Sequence, residues 1–385
     1  MRIFKHVAII AMSIWLIPEA HADDLTFAQQ TQIRSETLEE DRTLLVVLPE
    51  GYEEDNLQYP VLYLLDAEDN ILHTAGTVDQ LTTSGIVPPM IIIGIVSTNR
   101  ERDFTPTEIE TSQNSGGADR FLDFLDSELI PHVEQSYRTY PFRILSGHSF
   151  GGLLTAYTQM ERPELFDGLI SGSPSMWWDG EIMISWAQST FSSTENFDNS
   201  IYFGIGAEDG YGMRQELQRF IDVVESTNPD GLDWMHEEIA REDHMSARLL
   251  LVYNGLRHIF ADIRVPDELR ANFNTAAFMA HDMSIVEKYG PAAKQQELIY
   301  HMVADLLIRR EQYDDAITVS ERLIEAYPSY HLNFSLLAQA YEANGNCSRA
   351  IGALETAALL GGTDVGSSHA AGYREQIETL QNCEE

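Results

Sequence analysis

The decapeptide Arg143-Ile144-Leu145-Ser146-Gly147-His148-Ser149-Phe150-Gly151-Gly152 decides how this 385-residue chain is read. A short apolar run enters it, and a helix-like run from Leu153 to Met160 leaves it. Gly147-His148-Ser149-Phe150-Gly151 is therefore G-x-S-x-G in a strand-turn-helix setting, the nucleophile elbow. Glycines flank the serine because a turn this sharp leaves no room for side chains against the neighbouring backbone. The serine hydroxyl is then presented at the tip of a strand, beside the first N–H groups of the next helix.

A serine hydroxyl is a weak nucleophile at neutral pH and needs a base, which in turn needs an orienting carboxylate. On this scaffold they follow in the order Ser, Asp/Glu, His. Ser200 to Gly206 reads as a buried strand running into Ala207-Glu208-Asp209-Gly210, so Asp209 or its neighbour Glu208 fits the acid, with Asp209 preferred. Trp234 to Ala240 reads as another strand, and a helix is expected from about Ser246 to Phe260. His244 lies in the intervening Arg241-Glu242-Asp243-His244 loop, the place for a general base. His148, inside the elbow, is too near Ser149 in sequence to serve it and reads as a packing or hydrogen-bonding residue. His132 and His258 read as structural. The two backbone donors of an oxyanion hole are expected from Phe150 and from the loop Asp66-Ala67-Glu68-Asp69 after the strand Pro60–Leu65, at Ala67 or Glu68.

Five separated motifs now occur in order. They are the elbow, Tyr63-Leu64-Leu65-Asp66, Gly94-Ile95 with Arg100-Glu101-Arg102-Asp103-Phe104-Thr105-Pro106, Ser173-Pro174-Ser175-Met176-Trp177-Trp178, and Asp243-His244. Together they resemble the putative-esterase (esterase D-like) α/β-hydrolases, near the enterochelin and ferri-bacillibactin esterases, over roughly residues 25–265. The resemblance implies a triad of Ser149, Asp209 and His244 and a pocket bordered by the Ser-Pro-Ser-x-Trp-Trp segment. One departure is visible: the loop expected to read Leu-Asp-Gly reads Leu65-Asp66-Ala67, which matters only if that position needs positive φ. Independently, adjacent Trp177 and Trp178 cannot both enter one core, so one is expected to wall a pocket for an acyl or aryl group. Arg100 and Arg102 could clamp an anionic group or simply satisfy nearby acids, and Arg102 is the one taken as a substrate contact.

The ends of the chain bear on compartment. Met1 to Ala22 has basic Arg2 and Lys5, an apolar run from Val7 to Ile17, and Ala20-His21-Ala22, the pattern of a cleavable secretory leader. Export to a periplasm or beyond is expected, with no membrane insertion. In an oxidising compartment the only two cysteines, Cys347 and Cys383, are expected to pair. The chain carries 24 Lys+Arg against 61 Asp+Glu, and after the leader only Lys288 and Lys294 remain as lysines. Such an acidic surface argues against nucleic acid as a partner and suggests adaptation to salt. No metal or organic cofactor is implied, since zinc, P-loop and dinucleotide patterns are absent.

Strand and helix patterns alternate from Thr43 to Phe260, which predicts a mainly parallel sheet covered by helices on both faces. The helical run Ala118 to Gln135 is expected to kink or end at Pro131. After Val265-Pro266 only helical periodicity continues, with a repeat at spacing 34 that pairs Leu306/Ala340, Glu311/Gly345, Ala316/Ala350 and Ile317/Ile351. That is the tetratricopeptide period. Two units are too few to stand alone, so the array should pack on the hydrolase domain or form a homodimer. The division expected is 1–22 leader, 23–265 α/β-hydrolase domain and 266–385 tetratricopeptide-like domain. The function read from these residues is an exported serine esterase acting on a small-molecule carboxylic ester. The alternatives are a siderophore trilactone esterase, an acyltransferase with the same triad, and a helical-repeat adaptor carrying an inactive hydrolase domain.

Overall fold

The computed structural model describes residues 27–193, 196–210, 212–362 and 369–381. The leader Met1–Ala22, and Cys383 of the expected disulfide, lie outside the described residues. Eight strands form one sheet: β1 (Gln29–Ser35), β2 (Glu40–Val47), β3 (Tyr59–Leu65), β4 (Ile91–Ile95), β5 (Thr139–His148), β6 (Gly168–Gly172), β7 (Ser200–Gly206) and β8 (Asp233–Ile239). Their order is β1-β2-β4-β3-β5-β6-β7-β8. β2 runs antiparallel to β1 and β4, and all pairs from β4 to β8 are parallel. β3, β4 and β6 are buried along their whole length, as strands must be when both faces are covered.

The helices between strands are α1 (Ala67–Thr83), α2 (Arg100–Phe104), α3 (Ala118–Phe124), α4 (Ile130–Ser136), α5 (Phe150–Glu161), α6 (Trp178–Ser193), α7 (Met213–Thr227) and α8 (Arg248–Ile259). The alternation of strand side chains sorts them into two layers. Val61, Tyr63 and Leu65 pack with Phe121, Leu153 and Leu217 from α3, α5 and α7. Leu62 and Leu64 pack on the other face with Ile71 of α1 and Leu251 of α8. The chain is thus an α/β-hydrolase sheet, as the alternation predicts. Pro131 does not end the helical run: α3 passes through a π turn at Leu125–Leu129 into α4, which runs to Ser136. The π turn, closed by the Ile130 N–H on the Leu125 carbonyl, ends directly before the proline, which has no N–H to donate.

Beyond β8 every regular element among the described residues is helical: α9 (Asp267–Ala271), α10 (Thr275–Tyr289), α11 (Glu297–Arg309), α12 (Tyr313–Ala326), α13 (His331–Ala343), α14 (Cys347–Gly361) and α15 (His369–Gln381). The pair α13/α14 repeats α11/α12 with both starts displaced by 34 residues, Glu297 to His331 and Tyr313 to Cys347. Ala316 and Ala350 are fully buried at matching positions. Glu311 and Gly345 both turn the chain in the left-handed region, at φ 61° and 73°. Glycine does this freely, whereas the glutamate carries about 1–2 kcal/mol of strain.

An aromatic seam joins the helical region to the sheet. The Phe142 ring on β5 lies 4.7 Å from that of Tyr289 and 5.6 Å from that of Phe260. Tyr289 Oη donates to the Ile259 carbonyl at 3.2 Å, and Gln296 Nε2 donates to the Thr83 carbonyl at 2.9 Å. No helix of the described residues is long and apolar enough to cross a membrane. Phe142 is 5 % exposed, so Phe142→Ala should cost about 3–5 kcal/mol, read as a lowered urea midpoint.

Candidate active site

Four loops leave the C-terminal ends of β3, β5, β7 and β8, and they carry Asp66, Ser149, Asp209 and His244 to one edge of the sheet. That edge is where ligands bind in open parallel sheets. Ser149 sits between β5 and α5 at φ 61°, ψ −114°. A Cβ on Gly147 would lie 2.3 Å from the Gly151 carbonyl oxygen, and one on Gly152 would lie 2.5 Å from that of Gly172. The glycines are thus required by close backbone approach. Ser149 N–H donates to the Gly172 carbonyl at 2.9 Å, which ties the elbow to the end of β6. The first helical bond of the turn is Leu153 N–H to the Ser149 carbonyl, so the N–H groups of Phe150, Gly151 and Gly152 stand outside the ladder.

His244 Nδ1 lies 3.0 Å from Asp209 Oδ2, and Asp209 is buried. Glu208 is exposed and its N–H is bonded to the Glu242 carbonyl at 2.9 Å, so the structure gives the histidine Asp209 rather than Glu208. Asp209 Oδ1 is buried without a partner among the described residues. Gly206 allows the two loops to zip together, because a Cβ there would sit 2.3 Å from the Glu242 carbonyl oxygen. On the other side of His244, Asp243 Oδ1 accepts from the N–H groups of Met245 and Ser246 at 2.9 and 2.8 Å. Those bonds hold its carboxyl below the usual carboxylate range. Among the described residues Ser149 Oγ bonds Ser175 Oγ, at 3.4 Å, and not His244. Contacts of a nucleophile with its base commonly tighten only around substrate.

His148 takes a part that sequence reasoning assigned only in outline. Its Nε2–H donates to the His244 carbonyl at 2.7 Å, and the two rings lie 4.5 Å apart. A carbonyl can only accept, so the bond fixes the tautomer of His148. Burial, and then the neighbouring His244, push its pKa down to about 3, so it remains neutral. No sequence signal distinguishes this from plain packing, because the contact spans 96 residues.

The remaining expected residues divide. Ala67 is the first residue of α1, and the positive φ of that loop belongs to Asp66 at 51°, not to Ala67. The missing glycine is therefore sterically harmless, and a Cβ on Gly94 would instead meet the Ala67 methyl at 2.7 Å. Phe150 and Ala67 each begin a helix at the same sheet edge, with first-turn N–H groups free of the helical ladder. Trp177 is 41 % exposed, whereas Trp178 is 1 % exposed and its Nε1–H donates to Thr107 Oγ1 at 3.0 Å. Trp178 is thus a core residue under the Phe150 ring, 5.5 Å away, and only Trp177 can wall an open site. Arg102 is held by Glu40 at 2.7 Å and Asp103 at 2.6 Å, so its charge is spent inside the fold. The basic group beside the elbow is Arg100, which grips Asp66 with two bonds of 3.1 and 3.0 Å and lies 5.4 Å over the Phe150 ring.

The family model "Putative esterase" matches residues 35–231, and the chain belongs to that family. It is an ester hydrolase of the α/β-hydrolase fold. The chain is 26 % identical over 230 residues to the ferri-bacillibactin esterase BesA of Bacillus subtilis, covering 52 % of this chain and 78 % of that one. It is 39 % identical over 82 residues to a siderophore triacetylfusarinine C esterase of Aspergillus fumigatus, 21 % of this chain and 28 % of that one. Among solved structures, an IroE-like serine hydrolase from Shewanella oneidensis superposes with a TM-score of 0.67 at 27 % identity, over 78 % of this chain and 99 % of the other. A protein from Capnocytophaga ochracea shares the fold alone, with a TM-score of 0.68 and 16 % identity over 92 % of this chain and 99 % of its own.

The neutral His148 makes stability depend on pH in a definite direction. An unfolded histidine binds its proton below about 6.5, whereas the folded one resists until about 3. Its contribution is intact above pH 6.5 and declines as pH falls toward 3, by up to ~1.4 kcal/mol per unit. Urea titrations over this range should show a shallower acid loss for His148→Gln than for the wild type.

Proposed function

We propose that this chain is an exported serine esterase in which Ser149 is the nucleophile, His244 the general base and Asp209 the group that orients it. The observation that carries the reading is the His244–Asp209 bond beside a strained serine on the same sheet edge. His244 would take the Ser149 proton as Oγ attacks the ester carbonyl, and the oxyanion would meet the N–H groups of Phe150 and Ala67. His244 would then protonate the leaving alcohol, and water would release the acyl group by the same steps. Exposed Trp177, packed against Phe150 at 5.7 Å, offers an aromatic wall to the acyl or alcohol part.

The Met1–Ala22 leader supports export, and the acidic, lysine-poor surface supports activity in salt. The change from mixed to purely helical elements near Val265-Pro266 supports a division into catalytic and tetratricopeptide-like parts there. A second reading narrows the substrate to a siderophore-type ester, because BesA and the Aspergillus relative are both named for siderophore esters.

Hydrolysis of p-nitrophenyl esters from C2 to C12 and of a catecholate trilactone, in low and high salt, tests both readings. Ser149→Ala should lower turnover by roughly 10⁴-fold or more. Asp209→Asn should lower kcat by about 10³–10⁴-fold, with Glu208→Gln near wild type. Turnover that survives Ser149→Ala would overturn the mechanism. Efficient cleavage of the trilactone but of no p-nitrophenyl ester would select the siderophore reading. No turnover of any ester would favour an inactive adaptor.

A further inference from the structure

The other edge of the sheet carries a cavity of about 870 Å³. One side of it is formed by Tyr59, where β3 begins, and by Val87–Pro89, which lead into β4. The other side is formed by Ala292–Gln296 and α11. β3 spans seven residues, so at ~3.3 Å per residue this cavity lies about 20 Å from the Ser149 edge. Its place at a junction between structural units, and its size, are those of small-molecule sites.

Two features of its lining point to the same ligand chemistry. Ile299, Met302, Val303 and Leu306 follow the i, i+3, i+4, i+7 spacing of one helix face, and this apolar stripe of α11 faces the cavity. Met302 is 60 % exposed there, so the stripe is not consumed by packing. The charges around it reverse the balance of the chain. Acids outnumber bases 61 to 24 overall, yet the cavity is lined by Arg264, Arg270, Lys294 and Arg310 against Glu50 and Asp55. Arg270 pairs with Asp267, one helical turn away. Neither Arg264 nor Arg310 forms a salt bridge among the described residues. Lys294, one of two lysines beyond the leader, is partly buried, with its ammonium on the Ala326 carbonyl and 4.0 Å over the Tyr327 ring. In a strongly acidic protein, a local surplus of cations beside apolar surface attracts an anion with an apolar body.

We propose that this cavity binds a small amphipathic carboxylate, its head group at the Arg264/Lys294 end, where Gln295 Nε2 donates to the Ile263 carbonyl at 2.9 Å, and its apolar body along the Ile299–Leu306 stripe. The site is separate from the Ser149 edge and does not depend on the catalytic reading.

The test titrates the full-length protein, labelled with ¹³C at methionine methyls, with decanoate below its micellar range at low salt. Met302 reports on the cavity, and Met245, 55 % exposed beside His244, reports on the other edge. A saturable shift of Met302 at concentrations that leave Met245 unmoved is expected. Arg264→Glu should weaken that binding by at least tenfold, and decan-1-ol should bind at least tenfold more weakly than decanoate. Overturning results are a shift confined to Met245, equal affinity for decan-1-ol, indifference to the charge reversal, or no saturable shift in the wild type.

Discussion

The site rests on how closely the backbone closes around Ser149. A φ of 61° is expensive for a residue with a side chain, of the order of 1–3 kcal/mol. It persists because the carbonyls of Gly151 and Gly172 stand where Cβ atoms of Gly147 and Gly152 would be. Those contacts fix the spacing of β5, β6 and the first turn of α5 together. The same device recurs at Gly206, where the β7 and β8 loops close on each other and bring Asp209 under His244. Bare backbone at a few positions thus aligns groups that come from four different strands.

The sequence made the sheet and the site loops legible because each lies where a hydrophobic strand meets a glycine or an acid. The stretch Ser200 to Gly206 is read with its observed bounds, and Asp209 and His244 fall in the loops expected of them. What stayed hidden depends on contacts distant in sequence. Trp177 and Trp178 are chemically identical, and distant contacts such as the bond of Trp178 to Thr107, 71 residues away, distinguish the buried one from the exposed one. Arg100 and Arg102 differ in the same way: Asp66 claims the first, while Glu40 and Asp103 claim the second. At Pro131 the local rule against helical proline was met by a π turn, an adjustment that composition does not encode.

The acidic character of the chain makes arginine its internal fastener. Arg42, fully buried, bonds Asp103 and Glu40, and Arg102 bonds the same two carboxylates, so β2 and α2 are joined by two planar cations. A guanidinium suits this work because its fork reaches two acceptors at once and stays charged when desolvated. Arg100 repeats the arrangement at Asp66, at the entrance to α1.

The 34-residue displacement between the helix pairs has a meaning for how the helical part is built. The seam with the sheet is made by Phe142, Tyr289 and Gln296, all before α12. Each later helix rests on its predecessor, with two apolar clusters following one another along the chain and meeting on α13. The α13/α14 pair therefore stands one layer out from the seam, and its loss would uncover the face of α11 and α12 that Leu336 and Ala340 help to bury. The helical part is a stack that grows outward from the hydrolase sheet, with each layer finishing the core of the one beneath it.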